Sequence, residues 1–307
     1  IDPEELKKPS VHADMRIQAD VKALLTALES VLDSEYKVTA RKPLFEGGKG
    51  IDSMNWNETC RMWKEQYPVV LPKHYEHGDN ENTNIYAFIK ELSSRGQKDQ
   101  ITVVGNGSAC VVGGHAYLIK EGQRFITNSA VASMGYDLPA AIGACMADSS
   151  KDIILVTGDG SIQMNLQELQ TIIHHKMPIK IFLINNGGYH SIRQTQKNFF
   201  GEPLVGVGDD SRDLSFPDME KLSAAYGYPY VSIRHNGEIV QGIESAFAGK
   251  GPVICEIFVS RDQNFEPKSS AKRLPDGTMV SPPLEDLSPF LPEEEMERNM
   301  IIPRLKE

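Results

Sequence analysis

Ile153-Ile154-Leu155-Val156-Thr157-Gly158-Asp159-Gly160-Ser161 and, further on, Ile179-Lys180-Ile181-Phe182-Leu183-Ile184-Asn185-Asn186-Gly187-Gly188 decide the fold. Each opens as an apolar run with the length of a buried strand and closes in turn residues. Gly158 and Gly160 let the backbone turn closely and present N–H groups to an anion. Asp159 sits in that turn as a hard oxygen ligand. If the two runs are neighbouring parallel strands, Asp159 and Asn186 lie side by side. A carboxylate, an amide oxygen and a nearby main-chain carbonyl make half of an octahedral Mg²⁺ shell, which two phosphate oxygens and a water can complete. The spacing therefore predicts a metal–diphosphate site.

Outward from this pair, short β-rich runs alternate with helical segments. Strands are expected at Ile101–Val104, Arg124–Thr127, 152–157, Ile179–Asn185, 228–233 and 253–259. Helices are expected at 109–120, 135–147, 166–174, 216–226 and 236–248. Such alternation predicts an α/β fold, a doubly wound and mostly parallel sheet with helices on both faces. Ligands bind these sheets beyond the carboxyl ends of the strands, where strand order reverses. Gly105-Asn106-Gly107-Ser108, Gly158-Asp159-Gly160-Ser161 and Asn185-Asn186-Gly187-Gly188 fall at those ends. Residues 1–67 read as a lead-in, with an amphipathic helix over 16–34 and a helical stretch over 55–67. Residues 68–260 read as the ligand-binding domain, opening on a polar linker over 68–84. Residues 261–307 read as a Pro-rich extended tail with a short acidic helix near Glu293–Asn299.

Composition narrows the function classes. The 307 residues carry 32 Lys plus Arg against 42 Asp plus Glu, a formal net charge of −10. With 40% hydrophobic and 24% charged residues, the chain has enough apolar matter to fold, which excludes disorder as its main state. No apolar run reaches the roughly 18 residues of a membrane span. A net acidic chain is a poor default nucleic-acid binder. Neither a membrane nor a nucleic acid is thus an expected partner. Cys60, Cys110, Cys145 and Cys255 are widely spaced, without a CxxC pair, and read as reduced, mostly buried thiols of a cytoplasmic protein. No signal-peptide pattern opens the sequence, and its start at Ile1 reads as a cut from a longer chain.

Gly158-Asp159-Gly160-Ser161 followed by Asn185-Asn186 resembles the cofactor motif of thiamine-diphosphate-dependent enzymes. Upstream, Ser133-Met134-Gly135-Tyr136-Asp137-Leu138-Pro139-Ala140-Ala141-Ile142-Gly143-Ala144 is similar to the segment that precedes it in the acetolactate synthase and pyruvate decarboxylase group. The resemblance covers residues 68–260. It implies thiamine diphosphate and Mg²⁺ as cofactors, with Asp159, the Asn186 side chain and the Gly188 carbonyl as metal ligands. It implies diphosphate contacts from the Gly160 and Ser161 N–H groups and, on a second loop, from Gly107 and Ser108, with Gly158 in the same cofactor-binding turn. Tyr189 and His190 complete the implied cofactor-binding set. Met134 matches the apolar residue that props the cofactor in its bent shape, and the Ala132 carbonyl matches the acceptor for the cofactor's amino group. Other readings stand beside these. Ser108 also reads as a helix cap, and Met134 as helix-capping core. His190 reads as loop packing or as a substrate contact. Arg193 reads as a solvated salt bridge or as a contact to an anionic substrate. His174-His175 reads as a helix C-terminus favoured by the dipole.

The resemblance also implies an enzyme that decarboxylates a 2-oxo acid, pyruvate by expectation, and ligates the acyl carbanion to a carbonyl acceptor. Ile192 takes a catalytic position with Met134, because it stands where pyruvate decarboxylases carry a Glu that protonates the departing aldehyde. Thr195 stands where acetolactate synthases carry a Trp, and Gly107-Ser108-Ala109 where they carry Gly-Gln-His. These departures turn the expected acceptor away from pyruvate and toward a larger keto compound. A pyrimidine-binding domain of the same or a partner subunit is implied as a partner, within a homodimer or tetramer. The resemblance leaves open whether FAD binds the full-length protein. Two alternatives remain: a 2-oxo acid decarboxylase releasing an aldehyde, and a cofactor-binding subunit without turnover.

Overall fold

The computed structural model describes residues 3–8, 14–35, 55–76, 78, 81–273 and 276–301. It divides into two units, Ile1–Tyr67 with Pro292–Glu307, and Pro68–Leu291. The stretch 261–307, expected as one tail, is thus shared between the two. The part of the lead-in loop over 41–54 lies outside the described residues.

In the first unit, α1 (Val21–Glu35) follows the amphipathic pattern. Helix α2 (Trp56–Gln66) starts at a capping box, where Asn55 Oδ1 accepts from Glu58 N at 3.0 Å and Glu58 Oε2 accepts from Asn55 N at 3.1 Å. The acidic helix Glu293–Asn299 is tied to α2 by Trp63 Nε1 donating to Asn299 Oδ1 at 2.8 Å, and Tyr67 OH donates to Glu295 Oε1 at 2.7 Å.

The second unit is built on a parallel six-stranded sheet. In chain order its elements are α3 (Ile85–Arg95), β1 (Ile101–Val104), α4 (Ser108–Ala116), β2 (Arg124–Thr127), α5 (Asp137–Ala147), β3 (Ile153–Gly158), α6 (Glu168–His174), β4 (Ile179–Asn185), α7 (His190–Phe199), α8 (Met219–Tyr226), β5 (Tyr230–Ile233), α9 (Ile239–Ala248) and β6 (Val253–Phe258). Strand order is β2-β1-β3-β4-β6-β5, all parallel. The inner strands β1, β3, β4 and β6 are buried on both faces, which is why β3 and β4 read as continuous apolar runs rather than alternating ones. Ile154, Val156, Phe182 and Ile184 pack with α3, α4 and α9, while Ile153, Leu155, Ile181 and Leu183 pack with α5, α6 and α8. At about 1.5–3 kcal/mol for each fully buried aliphatic side chain, these two layers supply the main force holding the sheet. The doubly wound α/β fold is the one expected.

Three elements differ from expectation. Neither α3 nor α7 is among the helices expected from the periodicity; in α3 five consecutive buried residues, Ile85, Tyr86, Ala87, Phe88 and Ile89, mask the period, and its outward polar residues Lys90, Glu91, Ser94 and Arg95 come only afterwards. Beyond Phe258 the chain is not simply extended, since Lys272–Arg273 and Met279–Val280 pair as a short antiparallel hairpin. All four cysteines are free, but only Cys145 and Cys255 are buried. No helix among the described residues is long and apolar enough to cross a membrane.

Candidate active site

Strand β1 lies between β2 and β3, so the chain leaves β1 toward one edge and continues from β3 toward the other. This reversal opens a crevice at the carboxyl ends of the strands. Asn106, Gly107, Ser108, Gly158, Asp159, Gly160, Ser161, Asn186, Gly188, Tyr189 and Met134 line it, together with His190, Ser191 and Ile192 from the start of α7. Residues up to 86 positions apart in sequence thereby share one cleft of about 80 Å³. Ala132, alone among the expected site residues, is not in its wall; its backbone takes a left-handed φ of 52°.

Asp159 and Asn186 meet as their strands predict. Gly158 pairs with Ile184 in the β3–β4 ladder, and Asp159 N donates to Ile184 O at 3.0 Å. Asp159 Oδ1 accepts from Gly160 N at 2.8 Å, and Oδ2 accepts from Gly188 N at 2.9 Å. The carboxylate thus draws the two loops together. It is 2% exposed, and burial pushes its pKa up to about 7, against the lowering effect of the Gly188, Gly160 and Gly187 N–H groups and the Arg193 charge. A cation at this position would reverse that balance.

Asn186 is 5% exposed, and its Nδ2 donates to Ser108 Oγ at 3.1 Å. Its Oδ1 is buried without a hydrogen-bond partner. A buried amide oxygen left unpaired costs about 1–3 kcal/mol, so a ligand that accepts its lone pair is favoured. With the Asp159 carboxylate and the Gly188 carbonyl beside it, the donor set is all oxygen, as Mg²⁺ requires. The residues present fit the metal. They are not a cluster of acidic or imidazole groups; among the described residues no group of three or more His, Cys, Asp or Glu forms one. Ser108 is not the cap of α4: it accepts from the Asn186 amide and so fixes which way that amide points, while its O–H remains able to donate. Gly107 occupies the cap position of α4, with φ 60° and no side chain to cap with.

Glycine is required twice. Gly188 has φ 128°, and a Cβ there would overlap the Val207 carbonyl, with which this loop makes an antiparallel bridge. A Cβ on Gly160 would overlap the Tyr189 ring. Ser161 anchors the turn rather than facing outward: its Oγ accepts from Gly135 N at 3.0 Å and donates to the buried Asp137 Oδ2 at 3.3 Å. Burial raises the Asp137 pKa, opposed by its hydrogen bonds. Gly160 N is already given to Asp159, so of the two N–H groups implied for the diphosphate, Ser161 N is the one without a carboxylate partner.

Two supporting groups escaped sequence reasoning. Arg193, read as solvated or as a substrate contact, is fully buried. Its Nη1 donates to Asn186 O at 3.2 Å and its Nη2 to Gly187 O at 2.9 Å. Asp210 faces it as a fork, Nε to Oδ2 at 2.7 Å and Nη2 to Oδ1 at 3.1 Å. Asn185, the first residue of the Asn pair, accepts from Gly187 N at 3.0 Å and donates to the buried Glu256 at 2.6 Å, which also accepts from Tyr230 OH at 2.5 Å. The Asn186–Gly188 loop is therefore held from both sides.

The apolar wall is open. Met134 is 39% and Ile192 47% exposed, so Met134 is no core residue. His190 is buried, with Nε2 at 2.9 Å from Gln263 O and its ring edge-on to Phe265. Burial pushes its pKa down to about 4, so at neutral pH Nε2–H donates and Nδ1 carries no proton.

Comparison with known proteins agrees with this geometry. Residues 105–257 match the thiamine pyrophosphate enzyme family, C-terminal TPP binding domain. The acetolactate synthase large subunit of Porphyra purpurea is 29% identical over 278 residues, covering 87% of this chain and 42% of the relative. Acetolactate synthase isozyme 2 large subunit of Escherichia coli is 28% identical over 291 residues, covering 94% and 46%. The chain thus spans less than half the length of these curated relatives. Among solved structures, benzoylformate decarboxylase from Polynucleobacter necessarius superposes with a TM-score of 0.54 at 18% identity, over 64% of this chain and 36% of that one. The 4-hydroxybenzoylformate decarboxylase of Rhodococcus jostii gives 0.53 at 20%, over 61% and 34%. At such identities the superpositions speak for the fold. Fold, motif order and family match converge: the chain belongs to the thiamine-pyrophosphate-dependent, acetolactate synthase-like enzymes.

Proposed function

We propose that this chain holds thiamine diphosphate through Mg²⁺ and serves decarboxylation of a 2-oxo acid, pyruvate in the first instance, with transfer of the acyl unit to a carbonyl acceptor. The observation that carries the reading is the unpartnered, buried Asn186 Oδ1 beside the Asp159 carboxylate. Asp159, Asn186 and the Gly188 carbonyl would hold the metal, and Ser161 N with the Gly107 loop would receive the diphosphate. The bound cofactor supplies the electron sink that decarboxylation needs. Met134 and Ile192 present carbon to the reacting region and exclude water. Neither His190, unprotonated at Nδ1 at neutral pH, nor Ile192 offers an acid to the product, and this favours ligation over aldehyde release. A pyrimidine-binding domain from the same or a partner subunit, in a homo-oligomer, would complete the cleft.

Calorimetry tests the cofactor reading. Thiamine diphosphate is expected to bind with Mg²⁺ and to lose that binding in EDTA; metal-independent binding would overturn it. Product analysis tests the reaction. With pyruvate and a second carbonyl compound, the full-length enzyme is expected to give mainly the ligated product. Ile192→Glu restores a carboxylic acid at the cleft wall. General acids contribute about 10²–10⁴-fold where they operate, so free aldehyde should rise by about 10²-fold. Predominant acetaldehyde from the wild type, whatever acceptor is offered, would replace the ligase reading with the decarboxylase one.

A further inference from the structure

A second and larger cavity, about 570 Å³, adjoins the cleft, and Ser191 lines both. One wall is α7, which presents Ser191, Gln194, Thr195 and Asn198, the i, i+3, i+4 and i+7 positions of a single face. A helix face turned toward another stretch of chain is ordinarily its apolar one. Here those four positions are all polar, and only Phe199 at the end of the helix adds carbon. The opposite wall is the segment after Phe265, with Lys268 and Ser270. Lys268 is held by its main chain, which exchanges hydrogen bonds with Ser288 at 3.0 and 2.8 Å. Its ammonium group makes no ion pair with a described residue, and no carboxylate lines the cavity. In a chain of net charge −10, a cavity whose sole charge is positive runs against the average.

The volume lies within the range of small-molecule sites, roughly 300–1,000 Å³. The walls offer hydroxyl and amide groups and one cation, while Phe199, Phe265, Ala271, Met279 and Pro282 supply carbon faces of the kind a sugar-like chain packs against. We propose that this cavity is the acceptor subsite, taking an anionic, hydroxyl-rich ketone whose carbonyl points toward Ser191 and whose anionic end meets Lys268. The inference deepens the carboligase reading and rests on it for the word acceptor; the binding chemistry stands on the cavity alone. The cleft is taken by the cofactor and the 2-oxo acid in the proposed reading, so the polar annex is where a second substrate would sit.

The probe is ribulose 5-phosphate, an open-chain ketose with a dianionic end, titrated calorimetrically into the 307-residue chain without cofactor. Binding at about 1 mM or tighter is expected, with ribulose and inorganic phosphate each at least tenfold weaker. Lys268→Gln should weaken ribulose 5-phosphate about tenfold and leave ribulose unchanged. Thr195→Trp, which fills the cavity, should abolish binding of both. Neither variant should alter Mg²⁺-dependent binding of thiamine diphosphate. The proposal is overturned if Lys268→Gln binds the ketose phosphate as wild type does. It is also overturned if inorganic phosphate binds equally well, or if no saturable binding occurs at ten times the expected constant. Failure of thiamine diphosphate to bind would strike the cofactor reading alone, because the ketose titration is read without it.

Discussion

Asp159→Ala is expected to weaken Mg²⁺-dependent thiamine diphosphate binding by more than about 100-fold. Partners that merely orient a metal ligand are worth about 10–100-fold in affinity. Asp159 supplies the one charged oxygen of the proposed set and also ties the Gly160 and Gly188 N–H groups together, so its loss should exceed that range. The chain should nevertheless fold. Burial raises the Asp159 pKa to about 7, above its value in an unfolded chain, so folding takes up a proton there. The ionised group is therefore a cost to the folded state that grows as pH rises from about 4 to 7 and is constant above. Alanine removes that cost while leaving two N–H groups without an acceptor, and the two effects oppose each other. Thermal melts at pH 7.5 should place the variant near the wild type. Calorimetry showing unchanged cofactor affinity would falsify the metal assignment; a collapsed melt would mean that the carboxylate is a structural clasp first.

Ser108→Ala separates orientation from ligation. It leaves every proposed metal oxygen in place but frees the Asn186 amide to turn, so a loss of about 10–100-fold in Mg²⁺-dependent cofactor affinity is expected, smaller than for Asp159. Affinity equal to wild type would show that the amide is oriented by something else.

What could be read from the sequence was what is local in it. Gly158-Asp159-Gly160-Ser161 announces itself because the tight turn, the close backbone and the oxygen ligand are adjacent residues at a strand end. Asn186 could be placed beside Asp159 because parallel neighbours with one intervening helix admit little else. Helix α3 was hidden by its own burial: five consecutive core residues, Ile85 to Ile89, fill its first half, and polar positions begin only at Lys90. The role of Ser108 was hidden by distance, since its partner Asn186 lies on another strand's loop and only the sheet order brings them together. Arg193 forms the salt bridge that was one of its readings, but buried rather than solvated, and arginine is rarely fully buried unless paired. Its partner Asp210 stands in an irregular loop that carries no motif, so the pairing had no signature along the chain. Along the chain, the polar positions of α7 look no different from those of a solvated helix; only the facing segment with Lys268 gives them another reading.

Asp210→Ala is expected to cost about 3 kcal/mol of stability. Removing one partner of a buried pair typically costs about 3–5 kcal/mol, because the remaining charge is left uncompensated. Arg193 is fully buried, while the Asp210 side chain is 27% exposed, which argues for the lower end. For a unit of this size the melting temperature should fall by roughly 6–12 °C. The pH dependence has a definite sign. Burial tends to raise the Asp210 pKa, but the hydrogen bond and charge of Arg193 outweigh it and hold the carboxyl below its ordinary value. A depressed carboxyl contributes stability that is present at neutral pH and lost as pH falls through its folded pKa. The gap between wild type and Asp210→Ala should therefore be constant near neutrality and close in acid. Arg193→Met provides the contrast. It strips the pair without stranding a buried charge, since Asp210 can turn to water, so it should destabilise less. Yet it releases the Asn186 and Gly187 carbonyls, and with them the ligand loop, so cofactor affinity should fall about 10–100-fold, as for an orienting partner of a metal site. If Arg193→Met loses stability but keeps the affinity, the guanidinium braces the fold and has no part in holding the loop.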